Sequence, residues 1–494
     1  MSPAAPLATY DEALARVLRF APPLGVERVA LADALGRVLR EDLRADRDQP
    51  PFNRSAVDGF AVRSTSIASS GAHAISRQRL VVTAVIAAGA APPATLAAPG
   101  ANDVVRVATG AAVPTAFDAV IPIEQANAEK TSDGEVVMFL LDRVKPGQNL
   151  HRRASDASAG SVVLRAGTTL GPQHLGIAAT IGAATVLVAH RPRITVLTTG
   201  DEVRPPATPT EDLTPQQIRN SNGPMLTAFF AALGTPILEH VHVPDEPERT
   251  LAAAREALSH SHLVVTAGGV SVGERDFLPW AWKRLGLGVV LHGVAIQPGK
   301  PVLVCSDGEE RERGRNEERG RDGETERRRD EASAALGGNP QSAIRDPQSS
   351  ANPKSEIANP KSEIPSAKLV LGLPGNPVSV LTTAHLFAWP VLRAMLAGGA
   401  RQDAAEQTGA GSAGATSLLL PWRMTALREP VKPTSKRQVF RAARLNADGS
   451  ASVIPWQGSG DLMHTASADG FVRLPLQDDE LPAGTMVPFL AMVR

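Results

Sequence analysis

Apolar and polar positions along this chain of 494 residues change rhythm several times. Near the start, Thr9-Tyr10-Asp11-Glu12 has the form of a capping box, followed by Leu14, Val17 and Leu18 on one helical face. Leu31 to Leu39 reads as a second helix. From about residue 60 to 165 the pattern shortens to β-like runs separated by Gly and Pro: Arg79–Val85, Asp103–Ala108, Ala119–Ile123, Glu135–Leu141 and Ser161–Leu164. From about 190 strand and helix alternate. Strands are expected at Ile194–Thr198, Pro236–Val243, Leu263–Thr266, Val289–Val294, Val302–Cys305 and Lys368–Leu371, with helices at Asn222–Leu233, Glu248–Leu258, Phe277–Leu285 and from Pro377. Short strands return at Gln438–Arg444, Ser452–Trp456 and Gly470–Leu474.

This grammar predicts a multidomain α/β plus β chain. A helical or linking segment (1–60) leads into a small β domain (61–165), and a link (166–190) into a central parallel α/β domain (191–400). A barrel-like β domain closes the chain (410–494). Within the α/β domain, 306–367 has almost no large apolar residues and carries the tandem repeat ANPKSEI at 351–357 and 358–364. Such a stretch cannot offset the entropy of ordering, and it reads as a disordered insert between two strands.

Composition narrows the classes. The formal net charge is zero, which favours neither nucleic acid nor an anionic membrane as partner. A single cysteine, Cys305, excludes a disulfide framework and a cysteine-held metal cluster. The uncharged run Leu80–Asn102 is Ala-, Gly- and Pro-rich, a strand and loop rather than a membrane span. With no secretory leader pattern at the N-terminus, a soluble, cytoplasmic protein is expected.

The candidate chemistry lies where strands end. Leu263–Thr266 empties into Thr266–Asp276 (TAGGVSVGERD), with Gly268, Gly269, Ser271 and Gly273 before Asp276. Ile194–Thr198 ends in Thr199-Gly200-Asp201-Glu202. Lys368–Leu371 ends in Gly372-Leu373-Pro374-Gly375-Asn376-Pro377, where Asn376 fits an N-cap and Pro377 a first helical position; Ser379 follows. In an open α/β sheet ligands sit beyond the carboxyl ends of the strands. Glycine-rich backbone and helix N-termini suit phosphates, while Asp201, Glu202 and Asp276 suit a divalent metal such as Mg²⁺. The loop Gln297-Pro298-Gly299-Lys300-Pro301 adds a lysine. Outside the sheet, Asp58 sits before Gly59 in PFNRSAVDGFA, either a positioned carboxylate or a plain Asp-Gly turn. Arg152, Arg153 and Asp156 in NLHRRASD are an oxyanion site or a solvated turn. His240 and His242 alternate on one strand with no third metal ligand nearby, which favours a surface pair.

Taken in order, these motifs resemble the molybdopterin molybdenumtransferases, the bacterial MoeA type and the E domain of gephyrin. They are PFNRSAVDGFA (51–61), RVATGAAVP (106–114), NLHRRASD (149–156), LTTGDEV (197–203), NSNGPML (220–226), TAGGVSVGERD (266–276), QPGKP (297–301), GLPGNPVSV (372–380) and WQGSGDLMHTASADGF (456–471). The resemblance implies a MogA-like, molybdopterin-binding α/β domain and insertion of molybdenum from molybdate into adenylylated molybdopterin, with Mg²⁺-dependent release of AMP. It also implies a homodimer, with other molybdenum cofactor biosynthesis proteins as further partners and no nucleic acid or membrane. By motif, Asp58, Asp156, Asp276 and Glu202 are implied as catalytic. Thr109, Arg153, Thr199, Gly200, Asp201, Gly268, Gly269, Ser271, Gly273, Pro298, Lys300, Pro374, Gly375, Asn376 and Ser379 are implied in substrate binding. The chain departs from the family pattern at Asn53-Arg54 (usually Asp-Asn), Ala154-Ser155 (usually Gly-Glu) and Gln297 (commonly Lys). Those departures leave a molybdopterin-binding scaffold as one alternative; an adenylyltransferase acting on molybdopterin is the other.

Overall fold

A computed structural model of the chain describes residues 6–67, 78–132, 134–141, 143–270, 276–307, 368–398, 420–433, 435–477 and 479–494. The insert beyond 307, and Ser271 and Gly273 of the glycine loop, lie outside the described residues. Two compact units emerge: Arg28–Val188, and Met1–Glu27 together with Ala189–Arg494.

In Arg28–Val188 a six-stranded sheet runs in the order Ala119–Pro122, Gly59–Val62, Asp103–Val107, Leu80–Ile86, Gly134–Phe139, Ala126–Thr131. Alternation along Gly59–Val62 sends Phe60 and Val62 into one apolar cluster and Ala61 into another, so this central strand is buried on both faces. Four of the five β runs read from sequence form this sheet, and Val162–Leu164 pairs with Leu43–Arg44. The second helix expected over Leu31–Leu39 does not form. Only Leu31–Asp33 makes a 3-10 turn, Gly36 takes φ 74°, and Val38 and Leu39 bridge in extended conformation to Thr169 and Val188. The i, i+4 spacing of Leu31, Leu35 and Leu39 imitates a helix face, but Leu35 is 57% exposed and has no core to serve. Conversely, the presumed link at 166–190 contains a helix, Pro172–Thr180.

The other unit begins with α1 (Tyr10–Leu18). Its capping box is present: Glu12 N–H donates to Thr9 Oγ1 and Thr9 N–H to Glu12 Oε2. The alternating elements follow as β1 (Ile194–Thr199), α2 (Asn222–Ala232), β2 (Glu239–Val243), α3 (Pro247–His260), β3 (Leu263–Ala267), α4 (Leu278–Arg284), β4 (Gly288–His292), β5 (Leu303–Ser306), β6 (Leu369–Leu373) and α5 (Pro377–Ala397). The sheet order is β2-β1-β3-β6-β5-β4. The first four strands are parallel and end on one side, as expected, with β3 and β6 buried along their whole length. The expectation of a wholly parallel sheet fails at β5, which runs antiparallel to both of its neighbours, β6 and β4. The 293–302 connection between β4 and β5 holds no helix and is too short for a parallel crossover.

Helix α5 is apolar and long enough by length alone to cross a membrane, but 72% of its apolar window is buried in the fold. It packs Leu386, Phe387 and Val391 into a core shared with Tyr10 of α1 and Phe440 of the C-terminal sheet. That sheet contains Gln438–Leu445, Gly470–Leu474, Met486–Ala491 and Arg423–Ala426, and it borrows Ile296–Gln297 as an edge strand parallel to Gln438–Leu445. The QPGKP loop is thereby anchored to the C-terminal β region.

Candidate active site

A cleft of about 520 Å³ lies beyond the carboxyl ends of β1, β3 and β6. It brings together many of the residues singled out in the three loops: Thr199, Gly200 and Glu202; Gly268, Gly269 and Asp276; and Pro374, Gly375 and Asn376. The glycines are required by geometry. Gly268 and Gly269 take φ 93° and 66°, and a Cβ on either would stand 3.0 Å from Thr199 Oγ1. At Gly200, φ 130° lets the chain fold under Glu202, whose Oε2 would lie 2.7 Å from a Cβ there. The β3 loop therefore meets Thr199 of the β1 loop through bare backbone, and a Cβ on Gly375 of the β6 loop would stand 3.6 Å from Gly268 Cα.

Across the cleft, the start of α2 is tied to the β6 loop, since Asn222 Nδ2 donates to the Gly375 carbonyl at 2.7 Å. Asn222 also lines the cleft, and its Oδ1 is buried without a partner. Asn376 occupies the N-cap position of α5, but its side chain does not cap the helix. Its Nδ2 donates instead to Ser459 Oγ at 2.7 Å, and the Val378 N–H donates to the Ser459 carbonyl.

Sequence reasoning missed Asp245. It follows β2 and lines the cleft with Glu202 and Asp276. Burial, and then the charges of Asp201, Glu202 and Asp276, push its carboxyl above the ordinary aspartate value, although the Asp201 N–H opposes this. Asp201 itself is not among the lining residues; its Oδ1 accepts the Asp245 N–H at 3.1 Å. Parallel register explains the meeting. Thr199 of β1 pairs with Val243 of β2, so Asp201 and Asp245 stand at the same offset beyond adjoining strands. Among the described residues no three carboxylates or histidines are pre-assembled around one point. Mg²⁺ does not need that, because it usually takes one or two carboxylates and leaves its other positions to water and phosphate. The hard oxygen donors here, and a carboxyl raised by burial and then by like charge, fit such an ion.

A second cleft, of about 480 Å³, shares Pro374, Gly375 and Asn376 with the first. Its wall includes Gln297, Pro298, Lys300 and Ser379, and also Arg437, a second cation that the sequence motifs did not flag. Arg437 arrives because the C-terminal sheet pairs with Ile296–Gln297; its Nη1 donates to the Ile296 carbonyl at 3.4 Å.

Asp58, Thr109, Arg153 and Asp156 belong to the Arg28–Val188 unit. Asp58 Oδ1 accepts from the Thr109 N–H at 2.7 Å and from Thr109 Oγ1 at 3.1 Å. First the backbone bond and then the hydroxyl hold its carboxyl below the usual range. This positioned carboxylate, rather than a plain turn, is what the loop builds. Short strands Arg54–Ser55 and Leu150–His151 pair the Asp58 and Asp156 loops. Arg54 Nη2 lies 3.3 Å from His151 Nδ1, and His151 Nε2 lies 3.5 Å from Asp156 Oδ1. Arginine only donates, so Nδ1 is bare and the Nε2 proton faces Asp156. Ser155 Oγ donates to the same Asp156 oxygen at 3.0 Å. Arg153 is less available than the motif suggests: its Nε donates to Asp48 Oδ2 at 2.6 Å and its N–H to Asn53 Oδ1 at 2.9 Å.

Ala154 takes φ 61°. Left-handed backbone costs an L-residue roughly 1–2 kcal/mol, while a glycine gives back about 0.4–1 kcal/mol through its freer unfolded chain. Ala154→Gly is therefore expected to stabilise the Arg28–Val188 unit by roughly 0.5–1 kcal/mol, a rise in the unit's melting temperature that calorimetry detects.

Comparison with known proteins bears on the whole chain. The family description "MoeA N-terminal region (domain I and II)" matches residues 8–182, "Probable molybdopterin binding domain" 195–394, and "MoeA C-terminal region (domain IV)" 425–492. The molybdopterin molybdenumtransferase of Synechococcus elongatus is 31% identical over 466 residues, 94% of either chain. That of Bacillus subtilis is 38% identical over 295 residues, 60% of this chain and 66% of its own. Two solved structures of the molybdopterin biosynthesis MoeA protein from Pyrococcus horikoshii superpose with TM-scores of 0.66 and 0.68. They are 26% and 21% identical and cover 99% and 98% of this chain and 99% and 100% of their own. The chain therefore belongs to the molybdopterin molybdenumtransferase family, transferases of molybdenum cofactor biosynthesis.

Proposed function

We propose that the first cleft holds adenylylated molybdopterin, that molybdate enters at the second, and that molybdenum is placed on the dithiolene sulfurs as AMP leaves. The observation that carries this reading is adjacency. A cleft with glycine loops and carboxylates shares the Pro374–Asn376 wall with one bearing Lys300 and Arg437. Phosphates fit the backbone N–H groups of the first, and an oxyanion fits the two cations of the second. Asn222 Oδ1, buried without a partner, is an acceptor for an N–H or O–H of the ligand. Glu202 and Asp276, with Asp201 and Asp245 beside them, are the residues that would hold Mg²⁺; when bound, that ion neutralises charge on the phosphoanhydride. Asp58 and Asp156 are carboxylates held in place by Thr109 and by His151 with Ser155, and they act in a homodimer of a soluble, cytoplasmic enzyme.

Full-length protein supplied with adenylylated molybdopterin, Mg²⁺ and molybdate is expected to release AMP, and chelation of Mg²⁺ to stop it. Parallel reactions with tungstate and with no metalate report the anion's part. Tight binding of adenylylated molybdopterin without AMP release would make the chain a scaffold, and ATP consumption with unadenylylated molybdopterin would make it an adenylyltransferase.

A further inference from the structure

His240 and His242 alternate on β2 and leave one face of this edge strand. Both reach the same atom. Thr198 Oγ1 lies 2.9 Å from His240 Nε2 and 3.2 Å from His242 Nδ1. It also accepts from Asn220 Nδ2 at 2.9 Å. The Asn220 amide has one orientation, because its Oδ1 accepts the Gly223 N–H at 2.9 Å in the first turn of α2. Thr198 is 2% exposed and Asn220 7%, and both line the first cleft.

Counting protons constrains this hub. A hydroxyl offers one hydrogen and two lone pairs. Asn220 takes one lone pair, so one imidazole nitrogen must donate to Thr198 and the other must accept from it. Two neutral rings satisfy that by adopting complementary tautomers. One imidazolium also satisfies it, provided the other ring presents a bare nitrogen. Two imidazolium rings cannot, since three donors would then converge on two lone pairs.

Among the described residues, no carboxylate pairs with either ring. β1 presents Thr198, and the α2 turn presents Asn220 and Gly223, where a Cβ would collide with the His240 ring. Glu239, next to His240 on β2, is paired with His260 Nε2 of α3 at 2.7 Å. His240 and His242 are both exposed on this edge strand; partial desolvation against the α2 turn, and then the charge of His242, lower the His240 pKa from its ordinary value.

We infer that His240 and His242 are positioning residues of the cleft. Through Thr198 they hold Asn220 and the first turn of α2 in its wall, and the hub comes apart when both rings are protonated. Because Asn222 of that turn holds the Gly375 carbonyl, the loosening reaches the β6 loop. The link to ligand binding rests on the proposed use of this cleft; the hub itself does not.

The test combines two readouts on the full chain, wild type and His242→Ala, between about pH 8 and pH 5, a span that brackets the ordinary histidine pKa of about 6.5. With histidine-selective ¹⁵N labelling, opposite states are expected at Thr198 near pH 8, one nitrogen bare and one protonated. The two rings should then titrate in well-separated steps. With AMP as probe, wild-type affinity is expected to fall roughly tenfold across the second step, the scale of one lost hydrogen bond to the wall. In His242→Ala a single donor remains beside Asn220, so His240 should titrate in one step without the fall in affinity. Two rings that titrate together, or a fall that persists in His242→Ala, would overturn the inference. If AMP binds at no pH, the proposed use of the cleft fails, while the ring states still decide whether the hub exists.

Discussion

Asp58→Asn is expected to lower the rate of AMP release by roughly two orders of magnitude or more, the scale of a lost catalytic carboxylate, and to leave the Arg28–Val188 unit folded. The local bonding explains the separation. Both Thr109 donors converge on one atom, Asp58 Oδ1. An asparagine oxygen accepts both bonds in the same place, so the substitution removes charge and little else. The carboxyl of Asp58 is held below the usual aspartate range by the Thr109 N–H and hydroxyl, so the wild-type group is ionised throughout the neutral range. Only below the ordinary value of about 3.9 would protonation imitate the variant. AMP release measured beside a thermal melt decides the matter. A rate equal to wild type would remove Asp58 from the chemistry, and a lost melting transition would assign it to folding.

Asp58 also shows what a sequence can disclose. Its pattern before Gly59 fits either a turn or a placed carboxylate, and only the approach of Thr109, fifty-one residues away, distinguishes them. The strand-end loops were legible because their need is local. A backbone at positive φ that must also approach another loop leaves glycine at 268 and 269, one that folds under its own Glu202 leaves it at 200, and the sequence displays both directly. Asp245 was not legible in that way. It stands in a polar turn with no glycine beside it, and it enters the cleft only because β2 pairs with β1 in a register that aligns it with Asp201. Arg437 was hidden for a similar reason, since a strand pairing between distant segments carries it to the Lys300 loop. The missed antiparallel β4–β5 pair could have been read from the short connection between the strands, whereas the false helix at Leu31–Leu39 had correct spacing and no core to pack on.

The unit containing α5 is expected to lose stability as pH falls from about 6.5 to about 4, before most carboxylates protonate. Two buried histidines set this window. His385 is 1% exposed; its Nδ1 faces the Leu381 carbonyl at 2.7 Å, and its Nε2 accepts the Val493 N–H at 3.0 Å. The ring is therefore the neutral Nδ1–H tautomer, packed edge-on against Phe229 and Phe471. A second proton on Nε2 would point at an N–H, and burial lowers the pKa of His385 to about 4. His262 Nδ1 accepts the Arg193 N–H at 2.9 Å, and its pKa also falls to about 4, through burial and then the charges of Arg193 and His190. In both, the folded value lies below the unfolded value of about 6.5. The stabilisation is thus complete above pH 6.5 and is eroded as the unfolded chain takes up protons that the folded chain refuses. Each histidine contributes up to about 3 kcal/mol at the acid end of the window. The lowered carboxylates of this unit, Glu12, Asp448, Asp461 and Asp469, lose their contribution chiefly at the acid end of the window and below it. His385→Leu separates the contributions. At neutral pH it should cost about 1–3 kcal/mol, because the Val493 N–H loses its acceptor. Its stability should then decline with acid about half as steeply as wild type, so the two curves converge near pH 4. Urea unfolding at several pH values checks both slopes. A flat wild-type curve across the window would mean that the buried imidazoles titrate normally, contrary to the contacts around them.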